Sequence, residues 1–453
     1  MSDSASAPVS SAHVFHRAPK SAMRVAAGGD GPYIIDRAGK RYLDASGGAA
    51  VSCLGHSHPK VIAALKSQID RLAFVHTGFF TAEPIEELAD MLAADAPGDL
   101  DRVYFTSGGS ESLEAALKLA RQYFVDRGEP SRHRIVARRQ SYHGNTLGAL
   151  ATGGNMWRRR AYEPLLVPVS HIAPCYPYRD RREDEGDEAY GRRIADELDA
   201  EIVRLGADNV MCFVAETVSG ATLGCVPPVP GYLKRIREIC DRHGVLLILD
   251  EVMCGMGRTG TLFACEQEGV VPDIAIIAKA LGAGYQPIGA MLARRGIFET
   301  VVGATGYFQH GHTYTGHVSA CAAALAVQKA IKEEDLLANV RARGAELAEA
   351  LVERFGNHHH VGDIRGRGLF LALELVADRT TRTPFAAERK VAARIKETAL
   401  ENGLMCYPMG GIIDGISGDH VMLAPPFNIT SSHVGEIVDK LGRTIEAVTT
   451  AAA

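Results

Sequence analysis

The sequence lacks the features of membrane, secreted and nucleic-acid-binding proteins. A membrane-spanning helix needs about eighteen uninterrupted apolar residues, and no stretch of that kind is present. The first residues, MSDSASAPVSSAHVF, carry no basic segment followed by an apolar one, as a secretory signal would. A net charge of −5, from 49 basic and 54 acidic residues, leaves no basic excess for nucleic acid. We therefore expect a cytoplasmic protein that acts on small molecules and has neither a membrane nor a nucleic acid as partner.

Cysteine is present, but not in the patterns of a disulfide or metal framework. The 9 cysteines include no C-x-x-C pair, and Cys212 and Cys240 stand among apolar neighbours. Such positions are typical of reduced core residues, and no metal site is expected. With 453 residues, 46% hydrophobic and 23% charged, the chain is neither fibrous nor disordered. It is long enough for one large domain and a smaller companion.

Two apolar runs in the middle of the chain each end on a charged side chain. Residues 245–249 run into Asp250 and Glu251, and residues 274–278 run into Lys279. Both runs have the length of a buried parallel strand. Because open α/β sheets bind ligands at the carboxyl ends of their strands, we expect the acid and the amine to converge on one small molecule.

A glycine turn at residues 107–110 joins a strand predicted at 103–106 to a helix predicted at 111–124. A glycine turn that opens a helix presents free backbone N–H groups and the positive end of the helix dipole, which together bind phosphate. The hydroxyls of Ser107 and Ser110 add possible donors. The turn matches neither the dinucleotide pattern nor the P-loop pattern. A nucleotide-binding oxidoreductase is therefore only an alternative from another class.

Strands and helices alternate from about residue 100 to residue 295, which predicts a mostly parallel sheet with helices on both faces. A small β-meander, with strands at 33–36 and 41–44, precedes this region. After about residue 335, long helices predicted at 340–355 and 388–402 alternate with strands and indicate a smaller α+β domain. The charged segment from residue 179 predicts a surface loop and then an exposed helix.

An acid, an amine and a phosphate cup together suit pyridoxal phosphate. This cofactor needs a lysine for its Schiff base, a carboxylate for its pyridine nitrogen and an anchor for its phosphate. Asp250 would keep the nitrogen protonated, and Lys279, once displaced by the substrate, would carry the proton to and from the substrate carbon. Tyr142, at the end of a preceding strand, is placed either to stack on the cofactor ring or to fill the core.

Five segments resemble the signature blocks of the class III aminotransferases, in the ω-aminotransferase group of fold type I: TSGGSESLEAALKLAR, SYHG, DEVMCGMGRTG, AKALGAGYQPIGA and HTYTGH. The resemblance covers almost the whole chain. It implies a large, mostly parallel-sheet domain that binds pyridoxal phosphate at residues 71–330 and a smaller α+β domain built from residues 1–70 and 331–453. It also implies a homodimer, or a tetramer, whose active sites are shared between subunits.

Residue by residue, the resemblance implies a set of roles at this site. Lys279 matches the Schiff-base lysine and Asp250 the partner of the pyridine nitrogen, so both are catalytic. Thr313 matches the threonine that reaches the phosphate of the neighbouring subunit's cofactor. The cofactor-binding positions that follow are Lys279 and Asp250, Gly109 and Ser110 in the phosphate cup, Tyr142 and Val252 on the two faces of the ring, and His143, Glu216 and Thr313.

Two departures from the family pattern bear on the substrates. Met253 stands where ornithine- and GABA-type members have glutamine, and it is more similar to the ω-amine–pyruvate members. Residues 406–426 contain no Arg or Lys, although the ω-group often carries an arginine there that holds a keto-acid carboxylate. Arg158, Arg159 or a residue of the N-terminal segment is left for that task. A solvated face is the simpler expectation for Arg158, Arg159 and Arg160.

The function implied is a ping-pong ω-aminotransferase. An amine or ω-amino acid gives its nitrogen to the cofactor, and a small keto acid, pyruvate, takes it. A decarboxylase or an amino-acid epimerase that uses pyridoxal phosphate on the same scaffold is the alternative. As donors, β-alanine, taurine-like compounds, diamines and aryl amines are equally compatible with the sequence.

Overall fold

The computed structural model describes residues 13–21 and 23–450. Its strands are β1 (Ala26–Asp30), β2 (Tyr33–Asp36), β3 (Arg41–Asp44), β4 (Arg102–Thr106), β5 (Arg134–Arg138), β6 (Val169–Ile172), β7 (Val210–Glu216), β8 (Leu246–Asp250), β9 (Ile274–Ile277), β10 (Gly289–Ala293), β11 (Val361–Arg367), β12 (Phe370–Leu375), β13 (Leu404–Met405), β14 (Tyr407–Gly410) and β15 (Asp419–Leu423).

The helices are α1 (Gly47–Ala50), α2 (Pro59–Arg71), α3 (Glu83–Asp95), α4 (Gly109–Asp126), α5 (Leu147–Thr152), α6 (Met156–Arg159), α7 (Pro177–Asp180), α8 (Asp187–Leu205), α9 (Tyr232–His243), α10 (Arg295–Ala304), α11 (Val318–Glu333), α12 (Leu336–Phe355), α13 (Val391–Glu401) and α14 (Ser431–Thr450). Within the described ranges, none of these helices combines the length and the apolar character needed to span a bilayer.

A seven-stranded sheet in the order β4-β10-β9-β8-β7-β5-β6 forms the centre of the molecule. Strands β7, β8 and β9 are buried along their whole length, since helices cover both faces of the sheet. Neighbours from β9 to β6 pair in parallel, as the alternation of strands and helices predicts. Their carboxyl ends therefore lie along one edge, where a ligand site is expected.

Strand β10 is the exception to the parallel arrangement. It pairs antiparallel with β4 on one side and with β9 on the other, with Gly289 opposite Thr106 and Ala290 opposite Ile277. This reversed strand separates two strands that run in the same direction. The end of β4, which leads into the glycine turn, and the end of β9, which leads into Lys279, consequently lie at the same edge of the sheet.

Two smaller sheets lie outside the central one. The predicted meander forms the order β1-β2-β3-β13, and β11-β12-β15-β14 forms an antiparallel sheet. Strand β13, from near the C-terminus, pairs in parallel with β3, with Leu404 opposite Leu43. We propose on this basis that the described parts of residues 1–70 and 331–453 form one small domain beside the large domain of residues 71–330. Residues 1–12, 22 and 451–453 of that division lie outside the described residues.

Three predicted helices differ in detail from the structure. Helix α12 begins at Leu336 and not at residue 340, and α13 begins at Val391 because Lys390 is left-handed with a φ of 48°. Helix α8 is not an exposed helix as predicted, since one of its faces, with Tyr190, Ile194 and Leu198, is fully buried. The charged residues of α8 occupy the opposite face, so their high number concealed an amphipathic pattern.

Candidate active site

A cavity of about 480 Å³ lies at the carboxyl edge of the central sheet. Eight of the nine predicted cofactor-binding residues line it, namely Gly109, Ser110, Tyr142, His143, Glu216, Asp250, Val252 and Lys279. Met253 lines it as well. The ninth residue, Thr313, is exposed on the segment between α10 and α11 and is not part of this cavity wall.

The two acids at the end of β8 take different roles. Asp250 is 4% exposed and lines the cavity, where its Oδ2 accepts a hydrogen bond from His143 Nδ1 at 2.8 Å and its Oδ1 accepts one from the Val252 N–H at 3.0 Å. Glu251 is fully buried and accepts hydrogen bonds from the Thr217 hydroxyl and the Cys265 N–H, both at 2.8 Å. Of these two acids, only Asp250 therefore offers a carboxylate to a ligand in the cavity.

His143 forms a hydrogen bond with the Asp250 carboxylate. Its ring is buried, and its Nε2 has no hydrogen-bond partner among the described residues. Because a carboxylate only accepts hydrogen bonds, the bond to Asp250 places the imidazole proton on Nδ1. His143 therefore orients the Asp250 carboxylate.

Lys279 follows β9 in a left-handed backbone conformation with a φ of 50°. For a residue with a side chain this conformation costs about 1 kcal/mol, which the packed strand end and the turn Lys279–Leu281 must offset. Burial lowers the pKa of the Lys279 amine to about 8, although Asp250 and Glu216 act in the opposite direction. A lowered pKa increases the neutral fraction of the amine, the form that reacts with an aldehyde.

The amino end of α4 forms an open cup beside this amine. The helix begins at Gly109, and its N-cap, Gly108, provides no side-chain hydrogen bond to the first turn. A Cβ at Gly109 would lie 3.0 Å from both methyl groups of Val252, so any side chain would narrow the cup. The Ser110 hydroxyl is engaged with Asn145, donating to its Oδ1 at 2.9 Å and accepting from its N–H at 3.0 Å. Backbone N–H groups and Ser107 are thus the available donors for a phosphate.

Glu216, at the end of β7, holds Tyr142 in place. Its Oε1 accepts a hydrogen bond from the Tyr142 N–H at 2.7 Å, and its Oε2 accepts one from the Gly220 N–H at 2.5 Å. Burial raises the pKa of Glu216, and the nearby Asp250 carboxylate adds to that increase. The carboxyl group therefore ties the turn that carries Tyr142 to the loop that follows β7.

The three consecutive arginines have three different environments. Arg159 is buried, and its guanidinium donates to the carbonyl oxygens of Leu150 at 3.1 Å and Gly153 at 2.8 Å, closing the end of α5. The expected solvated face is wrong for Arg159, and its donors are engaged with the backbone. Arg160 is exposed, as expected. Arg158 is half-buried, and its guanidinium carbon lies 4.6 Å from the ring centroid of Tyr142, which lines the cavity.

Several residues of the cavity wall carried no signal in the sequence. Val51, Ala221 and Gln286 line the cavity from three separate segments of the chain. Val51 follows the short α1, in which Ala49 and Ala50 have positive φ values of 75° and 64°. Residues without a charge or a motif of their own become identifiable as site residues only when the chain is folded.

A G-x-G-x-x-G pattern occurs at residues 255–260 and was missed at the sequence level. It opens no α-helix, as a dinucleotide site would require, but a turn before the short 3-10 helix Ala264–Glu268. Within it, Arg258 is fully buried and donates to the carbonyl oxygens of Leu369 and Pro425. Through Arg258, the pattern here links the loop after β8 to residues beside β12 and β15.

The chain is similar in sequence and in fold to known proteins. The sequence model of the family described as "Aminotransferase class-III" matches residues 15–445. An uncharacterised aminotransferase of Schizosaccharomyces pombe is 45% identical over 444 residues, which cover 97% of this chain and 96% of that protein. The solved (S)-enantioselective ω-transaminase from Thermomicrobium roseum is 35% identical, with a TM-score of 0.90 and 97% of each chain covered. The PMP-bound form of an aminotransferase from Vibrio fluvialis is 33% identical, with a TM-score of 0.91 over 98% of this chain and 97% of that one. These likenesses confirm the predicted fold type I.

Proposed function

The chain belongs to the class III aminotransferases, enzymes that transfer amino groups, and we propose that it is an ω-aminotransferase which uses pyruvate as acceptor. The observation that carries the proposal is the convergence of Lys279, Asp250 and the open amino end of α4 on one cavity. The likeness to an (S)-enantioselective ω-transaminase supports an amine or ω-amino acid as donor. Met253 in the cavity wall is compatible with an apolar donor.

The family and the PMP-bound relative imply pyridoxal phosphate, and the residues present fit that cofactor. We propose that the backbone N–H groups of Gly109 and Ser110, at the start of α4, hold its phosphate, and that Asp250 pairs with its ring nitrogen. When bound, the cofactor supplies a ring that withdraws electrons from the substrate carbon. Tyr142 and Val252 would enclose its two faces.

The remaining roles belong to Lys279 and to the groups that position its partners. The Lys279 amine would bond covalently to the cofactor aldehyde and, once released by the substrate, move a proton at the substrate carbon. His143 would keep the Asp250 carboxylate turned toward the ring nitrogen, because its Nδ1 donates to Oδ2. Glu216 would hold the backbone that carries Tyr142 through the hydrogen bond to its N–H.

We also propose a homodimer, or a tetramer, in which Thr313 of one subunit reaches the cofactor phosphate in the active site of its partner. Thr313 is exposed, and so are large apolar side chains that a second copy would cover, including Phe79 at 83%, Phe80 at 68% and Tyr314 at 55%. In mixed dimers, a Lys279→Ala subunit would supply the intact Thr313 to a Thr313→Ala subunit. Cofactor affinity should therefore recover when the two variants are refolded together, and an affinity no better than that of Thr313→Ala alone would refute shared sites.

The cytoplasm is the proposed location. All 9 cysteines are free, and all except the half-buried Cys406 are buried, as suits a reducing compartment.

A panel of amine donors with two acceptors tests the proposed reaction. The holoenzyme is given β-alanine, a diamine or an aryl amine, with either pyruvate or 2-oxoglutarate, and the amino acid produced is measured. Alanine from pyruvate is the expected product. If only 2-oxoglutarate accepts the amino group, pyruvate is refuted as the acceptor. Release of CO2, or racemisation of an amino acid without any keto acid, would indicate a decarboxylase or an epimerase.

A further inference from the structure

Arg158 lies beside the face of a cavity-lining aromatic ring. It belongs to the short α6, where Asn155 caps the helix by accepting the Arg158 N–H at 3.3 Å. The guanidinium carbon of Arg158 lies 4.6 Å from the centroid of the Tyr142 ring, and Tyr142 lines the cavity. A planar guanidinium that stacks on an aromatic ring is held in a defined plane, which leaves its edge free for a planar anion.

The Arg158 guanidinium has no anionic partner in residues 13–21 and 23–450. Its Nε is buried and makes no hydrogen bond there. Burial lowers the pKa of Arg158, the neighbouring charge of Arg17 lowers it further, and only the hydroxyl groups of Tyr142 and Tyr407 oppose this effect. A half-buried cation without a counter-ion is costly, so an anion that enters beside it is stabilised.

Three other buried arginines are already engaged. Arg159 donates to carbonyl oxygens at the end of α5, and Arg258 donates to those of Leu369 and Pro425. Arg138 donates to the carbonyl oxygen of Glu216 at 2.6 Å and to a serine hydroxyl. Residues 406–426 hold no Arg or Lys, and the titratable group that they bring near Arg158 is Tyr407.

We propose that Arg158 binds the carboxylate of the keto-acid acceptor, with its guanidinium edge facing the two carboxylate oxygens and its plane held by Tyr142. This inference rests on the proposed aminotransferase function and names the group that recognises the acceptor. It involves no covalent step. The side chain distinguishes a keto acid from a carbonyl compound of similar size that lacks the negative charge.

The contact between Arg158 and the acceptor carboxylate is tested by replacing Arg158 and by comparing acceptors with and without a carboxylate. Arg158→Met is compared with the parent holoenzyme, using pyruvate and propanal as acceptors with the same amine donor. A hydrogen-bonded charge pair contributes about 1.5–3 kcal/mol, so kcat/KM for pyruvate should fall by roughly 10- to 150-fold. The value for propanal should change by less than about threefold, because propanal has no carboxylate for Arg158 to bind. Arg158→Lys, which keeps the charge but loses the planar fork, should retain part of the pyruvate activity.

Arg160→Met is the matched control, since it removes an exposed arginine two residues away and should leave both acceptors unaffected. Binding of propionate, which cannot react, is measured by calorimetry and should weaken at least about tenfold in Arg158→Met. An equal loss of activity with pyruvate and propanal, or unchanged propionate binding, would overturn the inference. If the parent enzyme aminates neither acceptor, the proposed function fails instead, and propionate binding still decides the role of Arg158.

Discussion

The pKa of Lys279 sets the pH at which the protein without cofactor should capture pyridoxal phosphate. Burial lowers this pKa from 10.5 to about 8. Since each unit is a factor of ten in the neutral fraction, the difference of about 2.5 units makes the neutral amine about 300-fold more abundant at pH 7 than in an ordinary lysine. The rate of capture should therefore rise about tenfold per pH unit up to about pH 8 and then level off.

Stopped-flow absorbance after mixing the cofactor-free protein with pyridoxal phosphate between pH 6.5 and 10 measures this rate. A small-molecule lysine derivative is the reference and should show its break near its own, unshifted pKa. Asp250→Asn should move the break in the protein to lower pH, because the Asp250 carboxylate raises the pKa of Lys279. A rate that keeps rising to pH 10 would refute the claim that burial sets the reactivity of the amine.

The lowered pKa of Lys279 also predicts how the stability of the cofactor-free protein depends on pH. The folded pKa is below the unfolded one, so the cost of burying the charged amine is present in full below pH 8 and disappears as the pH rises from about 8 to 10.5. A pKa lowered from 10.5 to about 8 corresponds to about 3 kcal/mol. Cofactor-free Lys279→Met should therefore be more stable than the parent toward urea at pH 7, by up to that amount, and should lose this advantage by about pH 10.5. A difference that is independent of pH would contradict the account.

Three further substitutions test the surroundings of the cavity. Arg159→Met leaves buried carbonyl oxygens without a donor and should lower the free energy of unfolding by about 3 kcal/mol or more. The control, Arg160→Met, should change it by less than about 0.5 kcal/mol. Equal effects of the two substitutions in urea titrations would contradict the structure. Gly109→Ala places a Cβ 3.0 Å from Val252 and should weaken phosphate and cofactor binding in fluorescence titrations, and unchanged affinity would show that the cup is elsewhere. Asp250→Asn should keep the cofactor yet lower kcat by at least about 100-fold, and full activity would exclude its proposed role.

The sequence predicts the sheet region and the chemistry of the site for a local reason. A short apolar run followed by a charge indicates a buried strand end, and a glycine turn before an amphipathic run indicates an open helix start. Asp250, Lys279 and Gly109 all follow from such neighbourhoods. The resemblance to a family then added Thr313, which has no local pattern of its own, and favoured ring stacking over a core position for Tyr142.

The tertiary structure decided what depends on contacts between distant residues. The antiparallel insertion of β10 brings the glycine turn and Lys279 to one edge of the sheet, and no local pattern encodes that pairing. Hydrogen bonds from remote segments turn Glu251 away from the cavity and leave Asp250 in it. Arg158 and Arg159 look the same in sequence, yet α5 engages one guanidinium and leaves the other beside an aromatic ring. Residue type and spacing determine which groups are present, and packing determines which of them remain free to react or to bind.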